Sequence, residues 1–236
     1  MTAAVSPPLI SARDRLAVAA RAIEPILNRV VLAGPLVVDL LLNDPVVRTL
    51  SLTFAADSTL QLLSTSMVDR LGGDLQKLGL SRIGRTATGD RWRVARDVAI
   101  DLVQVQSDNA DPSQIWLEYA TLLTLPFSID GGLTVRIAGA PAVLALECSA
   151  FVRRGGGALD SEEMERVVTL VAARMEIERE CAAAPAELRQ FIGTELARLA
   201  KNDALQLLIQ RALPDAPRLA SLVTRVADRV RRIAAV

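Results

Sequence analysis

The chain alternates between short β-branched apolar runs closed by glycine or proline and longer stretches where apolar residues recur every three or four positions. "SPPLI" at 6–10 predicts an extended lead-in, because paired prolines are barred from a helix interior. Ser11 and Asp14 resemble a helix start, and Leu16, Ala19, Ala20 and Ile23 carry the helix on until Pro25 kinks or ends it. "VVLA" at 30–33 predicts a buried strand. Gly34-Pro35 then opens a short helix, with proline at the first helical position, where its missing N–H costs nothing. "VVRTLSLTF" at 46–54 predicts the next strand, with Val47, Thr49, Ser51 and Thr53 on one side and Arg48, Leu50, Leu52 and Phe54 on the other.

Residues 58–71 predict a helix ended by Gly72-Gly73, with a shorter helical piece to about Leu78. Strands follow over "LSRIGRTA" and "RWRVARDVAIDLVQVQ", the second broken near Asp97. A helix is expected from Pro112 to about Thr124, a strand over "LTVRIAG" at 133–139, and a helix from Pro141 to about Arg154. "RGGGA" is the clearest punctuation. Beyond it, Asp160 and Glu163 predict a capping box for a helix striped by Met164, Val167, Val168, Val171 and Met175. Pro185 opens another helix with Leu188, Phe191, Ile192, Leu196 and Leu199; a third spans about 203–213; the last carries Leu219, Leu222, Val223, Val226, Val230 and Ile233. The expected class is α+β: a lead-in over 1–10, an α/β portion with a mixed sheet and flanking helices over 11–157, and an all-helical region over 158–236.

Composition narrows the chemistry. Of 236 residues 51% are hydrophobic and only 3% aromatic, so Leu, Val, Ile and Ala must build the core. Basic and acidic residues balance at 27 each, so net charge points to no polyanionic partner. The chain has no histidine, which excludes Ser-His-Asp and Cys-His catalysis and histidine-ligated zinc. Cys148 and Cys181, distant in sequence, fit free thiols in a reducing cytoplasm. No run approaches the roughly 18 apolar residues of a membrane span, and no signal layout is visible, so a cytoplasmic protein without membrane contact is expected.

The runs "VVLAGPLVVDLLLNDPVVRTLSLTF", "VAIDLVQV" and "APAVLALECSAFVRRGGGALDSEEMERVV" resemble, in order and spacing, the AbiEii-like nucleotidyltransferase-fold proteins over roughly residues 22–172. In that family a strand leads through Gly-Gly or Gly-Ser into a short helix, and the next strand carries Arg-Thr and a pair of alternating aspartates. A third carboxylate sits on a later strand, followed by a lysine, an arginine and an acidic helix start. The resemblance implies a mixed sheet, nucleotide contacts at Gly34, Arg48, Thr49 and Arg153, and transfer chemistry in which two Mg²⁺ ions are held by clustered carboxylates.

Aligned on Arg48-Thr49, the paired carboxylate positions hold Ser51 and Thr53, neutral hydroxyls that cannot offset the charge of Mg²⁺. Asp101 alone matches the third carboxylate, Pro35 takes an N–H out of the glycine turn, and the family lysine falls on Glu147. Arg153 and Asp160 do match, although Asp160 already has a capping role. Asp39 and Asp57 are the remaining nearby acids, one on the short helix and the other beyond the strand. Ser51, Thr53 and Asp101 therefore read as vestigial positions, with no catalytic residue, metal or cofactor expected. Gly34 either lets backbone approach a phosphate or makes a strand-to-helix turn, and the turn is the commoner reason for such a glycine. Asp101 alone suits a salt bridge with an arginine such as Arg48 better than a metal.

"RIGRTATGDRWRVAR" crowds arginines around a tryptophan. Arg85, Arg91, Trp92 and Arg93 there could track and stack a nucleic acid, but a charged edge hairpin that deters edge-to-edge pairing is the more ordinary origin. The apolar helical faces after residue 160 either form core or cover a second copy or a protein partner. The leading expectation is a catalytically silent nucleotidyltransferase-fold protein that acts by binding, to a nucleotide or nucleic acid among other ligands. The alternatives are an active, toxin-like nucleotidyltransferase with rearranged ligands, which would need Mg²⁺, and a protein–protein scaffold.

Overall fold

Ser11 caps helix α1 (Ala12–Ala22): its hydroxyl accepts from the Asp14 N–H at 3.1 Å and donates to the Asp14 carboxylate at 2.6 Å. Pro25 does end that helix, which gives way to a 3₁₀ turn over Glu24–Arg29. The computed structural model describes residues 11–45, 59–86, 89–106, 111–129, 131–154, 161–202, 205–213 and 219–235. The lead-in at 6–10, the strand expected at 46–54, Asp57, the glycines at 155–157 and Asp160 lie outside the described residues.

The chain continues through β1 (Val31–Ala33), α2 (Pro35–Leu41), β2 (Leu60–Ser64), α3 (Val68–Lys77), β3 (Ser81–Arg85), β4 (Asp90–Ala95) and β5 (Val98–Gln104). Then come α4 (Gln114–Leu122), β6 (Thr124–Ile129), β7 (Leu133–Ala138) and α5 (Ala140–Arg153). The helical part comprises α6 (Glu162–Ala173), α7 (Ile177–Ala182), α8 (Ala186–Ala200), α9 (Leu205–Ala212) and α10 (Leu219–Ala234). Among the described residues seven strands form one sheet in the order β3-β4-β5-β2-β1-β7-β6. The β1/β7 and β2/β5 pairs are parallel and the others antiparallel. The class is α+β: a mixed sheet with flanking helices, followed by helices alone.

Two expectations are corrected by the sheet. Within the helix expected over 58–71, Leu60–Ser64 is instead strand β2, and the helix begins only at Val68 and runs straight through Gly72 and Gly73. β2 sits between β5 and β1, and with Leu60 and Leu62 buried on one face and Leu63 on the other, both its faces are covered. A strand buried on both sides reads as a continuous apolar run and loses the alternation that would reveal it. Gly72 is there for closeness, since a Cβ would stand 3.2 Å from the Trp92 ring. The second is β6, a strand that was not expected and that follows directly on the expected helix; its Pro126 is tolerated because β6 is an edge strand.

In the helical part the stripe of α6 ends at Ala173, leaving Met175 61% exposed beyond it, and the short α7 was not anticipated. The α6 cap is Ser161, whose hydroxyl accepts from the Met164 N–H at 3.3 Å; Glu163 is not a capping partner but is buried among arginines. Buried side chains from α1 through α10 join in one continuous hydrophobic core. The apolar stripes of α8 and α10 thus have partners within the chain. No helix among the described residues is long and apolar enough to cross a membrane.

The C-terminal end of α6 shows how the last helix is bound. The Ala173 carbonyl accepts from the N–H groups of Asn43 and Asp44, at 3.0 and 2.8 Å. Arg229 of α10, only 7% exposed, donates to the carbonyls of Ala172 at 3.1 Å, Arg174 at 2.6 Å and Met175 at 3.1 Å, and to Glu178 at 3.1 Å. One guanidinium thereby takes one orphan carbonyl of the helix end, Ala172, and the carbonyls of Arg174 and Met175 just beyond it.

Candidate functional site

The glycine turn sets the site's first wall. Gly34 has φ +88°, a backbone conformation that side-chain-bearing residues rarely adopt, and it places Pro35 at the start of α2. A Cβ there would lie 2.9 Å from the Thr59 carbonyl and 3.0 Å from the Gln61 side chain. The Thr59 carbonyl accepts from the Leu36 N–H at 3.4 Å, so part of the helix entrance is already occupied by the chain's own backbone. With α2 only seven residues long and proline at its first position, the turn offers no developed anion seat.

Beside the turn, the register pairs Ala33 with Gln61 and Gln61 with Asp101, across β1, β2 and β5. Asp101 is 3% exposed. Its two oxygens both accept from Arg91 on β4, Oδ1 from Nε at 2.7 Å and Oδ2 from Nη2 at 2.9 Å. The salt bridge with an arginine expected of Asp101 is thus made by Arg91; Arg48, the arginine named for it, lies outside the described residues. The turn at Arg96-Asp97 between β4 and β5 sets Arg91 directly opposite Asp101. The hydrogen bonds to Asp101 push the Arg91 guanidinium above its ordinary pKa.

A cavity of about 490 Å³ opens where Gly34, Pro35, Gln61 and Val103 meet α4, α5 and α6. Leu117, Val143 and Leu146 give it apolar walls. Asp111, Ser113, Gln114 and Arg153 bring polar groups, and Glu147, Glu163, Arg154 and Arg166 line it as charged groups. Asp111 accepts from the Ser113 N–H at 2.9 Å; that bond first, and Arg153 less, hold its carboxyl below the usual range. Glu147 and Arg166 are both buried and joined at 3.0 Å. Burial pushes the Glu147 carboxyl up, and Arg166 opposes the shift. Glu163 forms ion pairs with Arg154 and Arg166, and Arg166 also reaches Glu162 at 3.4 Å.

Asp39 on α2 faces the same cation. Burial raises its carboxyl from 3.8 to about 6, against the pull of Arg166. A carboxyl raised in the folded state contributes stability that is present in full below its unfolded value and is lost as pH rises through the folded value. Asp39→Asn is therefore expected to stabilise the protein at pH 7–8 by about 1–2 kcal/mol, discounted for partial exposure, and to flatten the loss of stability between about pH 4 and 6. Urea melts of both proteins across that range check this, and an unchanged or lower midpoint for the variant at pH 8 contradicts it.

Of the sequence-predicted positions, Gly34 and Arg153 meet at this cavity, and Asp101 lies on the strand beside it. Ser51, Thr53, Arg48 and Thr49 lie outside the described residues. The basic hairpin is elsewhere: β3 is a sheet edge, exposed along its whole length. Asp90 ties Arg82 at 2.7 Å and Arg85 at 3.3 Å, Arg91 is held by Asp101, and Arg93 is exposed. Trp92 is 2% exposed beneath α3, which corrects its reading as a base-stacking residue. Sequence reasoning missed Gln61, hidden in an apolar run taken for helix. It also missed Arg166, whose signal was a charged residue on the apolar stripe of α6, three and four positions after Glu163 and Glu162.

Paired magnesium ions, as nucleotidyl transfer uses them, need clustered carboxylates. Gln61 and Val103 present no carboxylate, and the charge of Asp101 is already matched by a guanidinium. Among the described residues no group of three or more Cys, Asp or Glu stands close enough to hold a metal ion.

No family model and no curated protein sequence matches the chain. Solved structures similar to it include the following two. An antigenic nucleotidyltransferase-like protein from Paracoccidioides brasiliensis is 16% identical with a TM-score of 0.49, over 91% of this chain and 93% of that one. A nucleotidyltransferase candidate from H. pylori is 10% identical with a TM-score of 0.46, over 98% of this chain and 96% of its own.

Proposed function

We infer that the chain is a nucleotidyltransferase-fold protein that binds a small ligand in the cavity between the sheet, α4, α5 and α6 and does not carry out transfer chemistry. The observation that carries this reading is the bidentate ion pair between Arg91 and Asp101. A carboxylate engaged through both oxygens by a guanidinium is held in place and neutralised, which is a structural use of the group. To serve magnesium, Asp101 would have to break that pair and find acidic neighbours where Gln61 and Val103 stand. The cavity itself is of ligand size, with apolar walls and a few convergent polar groups.

Purified protein incubated with labelled nucleoside triphosphates and Mg²⁺ is expected to transfer no nucleotide to itself, to RNA or to added protein. Magnesium-dependent incorporation that Asp101→Asn abolishes would overturn the reading in favour of an active enzyme with rearranged ligands.

A further inference from the structure

A second cavity, of about 660 Å³, is an open groove along the exposed face of α8, bounded on one side by the end of α10. It shares no lining residue with the cavity beside the glycine turn. Three cations line it: Arg189 near the start of α8, and Arg198 and Lys201 at its end. No acidic side chain does. Arg198 is paired with Glu195 at 2.7 Å. Arg189 donates to the Ala182 and Ala184 carbonyls at 3.1 and 3.5 Å, and among the described residues neither it nor Lys201 has a carboxylate partner. Three cations against one carboxylate leave two unmatched positive charges, one at each end of the groove.

The middle of the groove is built to accept. Gly193 and Ala197 keep its wall low, and a Cβ on Gly193 would stand 3.6 Å from the Ala234 carbonyl and 3.8 Å from that of Ile233. Carbonyls in the last turn of a helix lack intrahelical donors, so these two are open to a donor from outside. The Thr194 hydroxyl donates to the Gln190 carbonyl at 2.8 Å and retains its capacity to accept. From Ala186 to Lys201 the groove follows α8 for about 22 Å. An α-helix of that length, about 10 Å across, takes up more than twice the groove's volume, whereas an extended chain covers it with about seven residues. Polyphosphate offers no N–H and would set its oxygens against the α10 carbonyls. A single-stranded nucleic acid would find no aromatic side chain in the groove on which to stack a base.

We propose that this groove docks an extended, acidic peptide segment of a protein partner. One carboxylate meets Arg189, and others about four to six positions further on meet Arg198 and Lys201, as the rise of a strand along a helix requires. Small side chains between them lie over Gly193 and Ala197, where backbone N–H groups reach the α10 carbonyls.

The test uses the whole chain and a fluorescein-labelled seven-residue peptide with glutamate at its first, fifth and sixth positions and alanine elsewhere. Fluorescence anisotropy is expected to show it binding at least tenfold more tightly than its glutamine counterpart, and inorganic polyphosphate of matched length competing at least tenfold less well than the unlabelled peptide. Joint Arg198→Ala and Lys201→Ala substitution, at exposed positions, is expected to weaken the peptide at least tenfold, while Arg93→Ala, exposed on β4, leaves it unchanged. No binding, equal binding of the glutamine peptide, or no effect of the joint substitution overturns the proposal. So does an equal loss in Arg93→Ala, which marks diffuse attraction, or polyphosphate competing as well as the peptide, which marks a plain anion seat. Should the joint variant fail to fold by circular dichroism, the order of the three probes on the unaltered protein decides.

Discussion

Arg166→Met is expected to lower the unfolding free energy by about 3–5 kcal/mol, the range for removing one partner of a buried ion pair. Arg166 is 10% exposed at its side chain and stands between Glu147 and Glu163, which are 8% and 2% exposed. Without the guanidinium, Glu147 keeps its burial and loses the cation that opposes it. Its carboxyl then rises further, so the variant's deficit is expected to widen from pH 5 to pH 8, because a raised carboxyl contributes stability only while protonated. A second change supplies the control. Glu147→Gln in the Arg166→Met background removes the stranded charge and is expected to restore much of the loss, a coupling that a double-mutant cycle measures directly. Additive effects of the two substitutions, or a loss below about 1 kcal/mol for Arg166→Met, would show that the buried pair is not what holds α5 to α6.

Arg229→Met is expected to cost about 3–4 kcal/mol, because it takes the donor from one buried carbonyl and two partly buried ones at once instead of removing one surface charge. The Ala172, Arg174 and Met175 carbonyls all accept from this side chain. Arg229→Lys recovers only part of the loss, since an ammonium cannot reproduce a planar fork reaching several acceptors. The neighbouring Arg232 gives the contrast. It shares Glu178 but is 56% exposed, and Arg232→Met is expected to cost less than about 1 kcal/mol. Chemical denaturation of the three variants separates the cases. Equal small losses for Arg229→Met and Arg232→Met would mean that water replaces the guanidinium at the helix end.

Much of this architecture is legible from residue order, for reasons that differ from place to place. Gly34-Pro35 announces a strand-to-helix turn because few other pairs suit a positive φ followed by a helix start. The break near Asp97 and the helices opened by Pro141 and Pro185 are read from the same kind of local punctuation. The α8 and α10 stripes are legible because each buries only one face. What escapes is set by long-range contact. "LQLLS" becomes a strand because β1 and β5 flank it, and nothing within those five residues says so. The site was half visible: Gly34, Asp101, Glu147 and Arg153 stand out as motif positions. Which arginine answers which acid depends on strand register and helix packing, so Arg91 and Arg166 emerge only in three dimensions.

The brevity of β1 bears on how the chain is made. Three residues, Val31–Ala33, join the two halves of the sheet, with β2 on one side and β7 on the other. On the ribosome the β2 neighbour emerges early, but Leu32 must wait for Ile137 before its other side is closed. Throughout that interval a nascent chain presents an open apolar strand edge at what will become the middle of the sheet. A polypeptide released before Ala138 would keep that edge permanently, ready to pair with another copy.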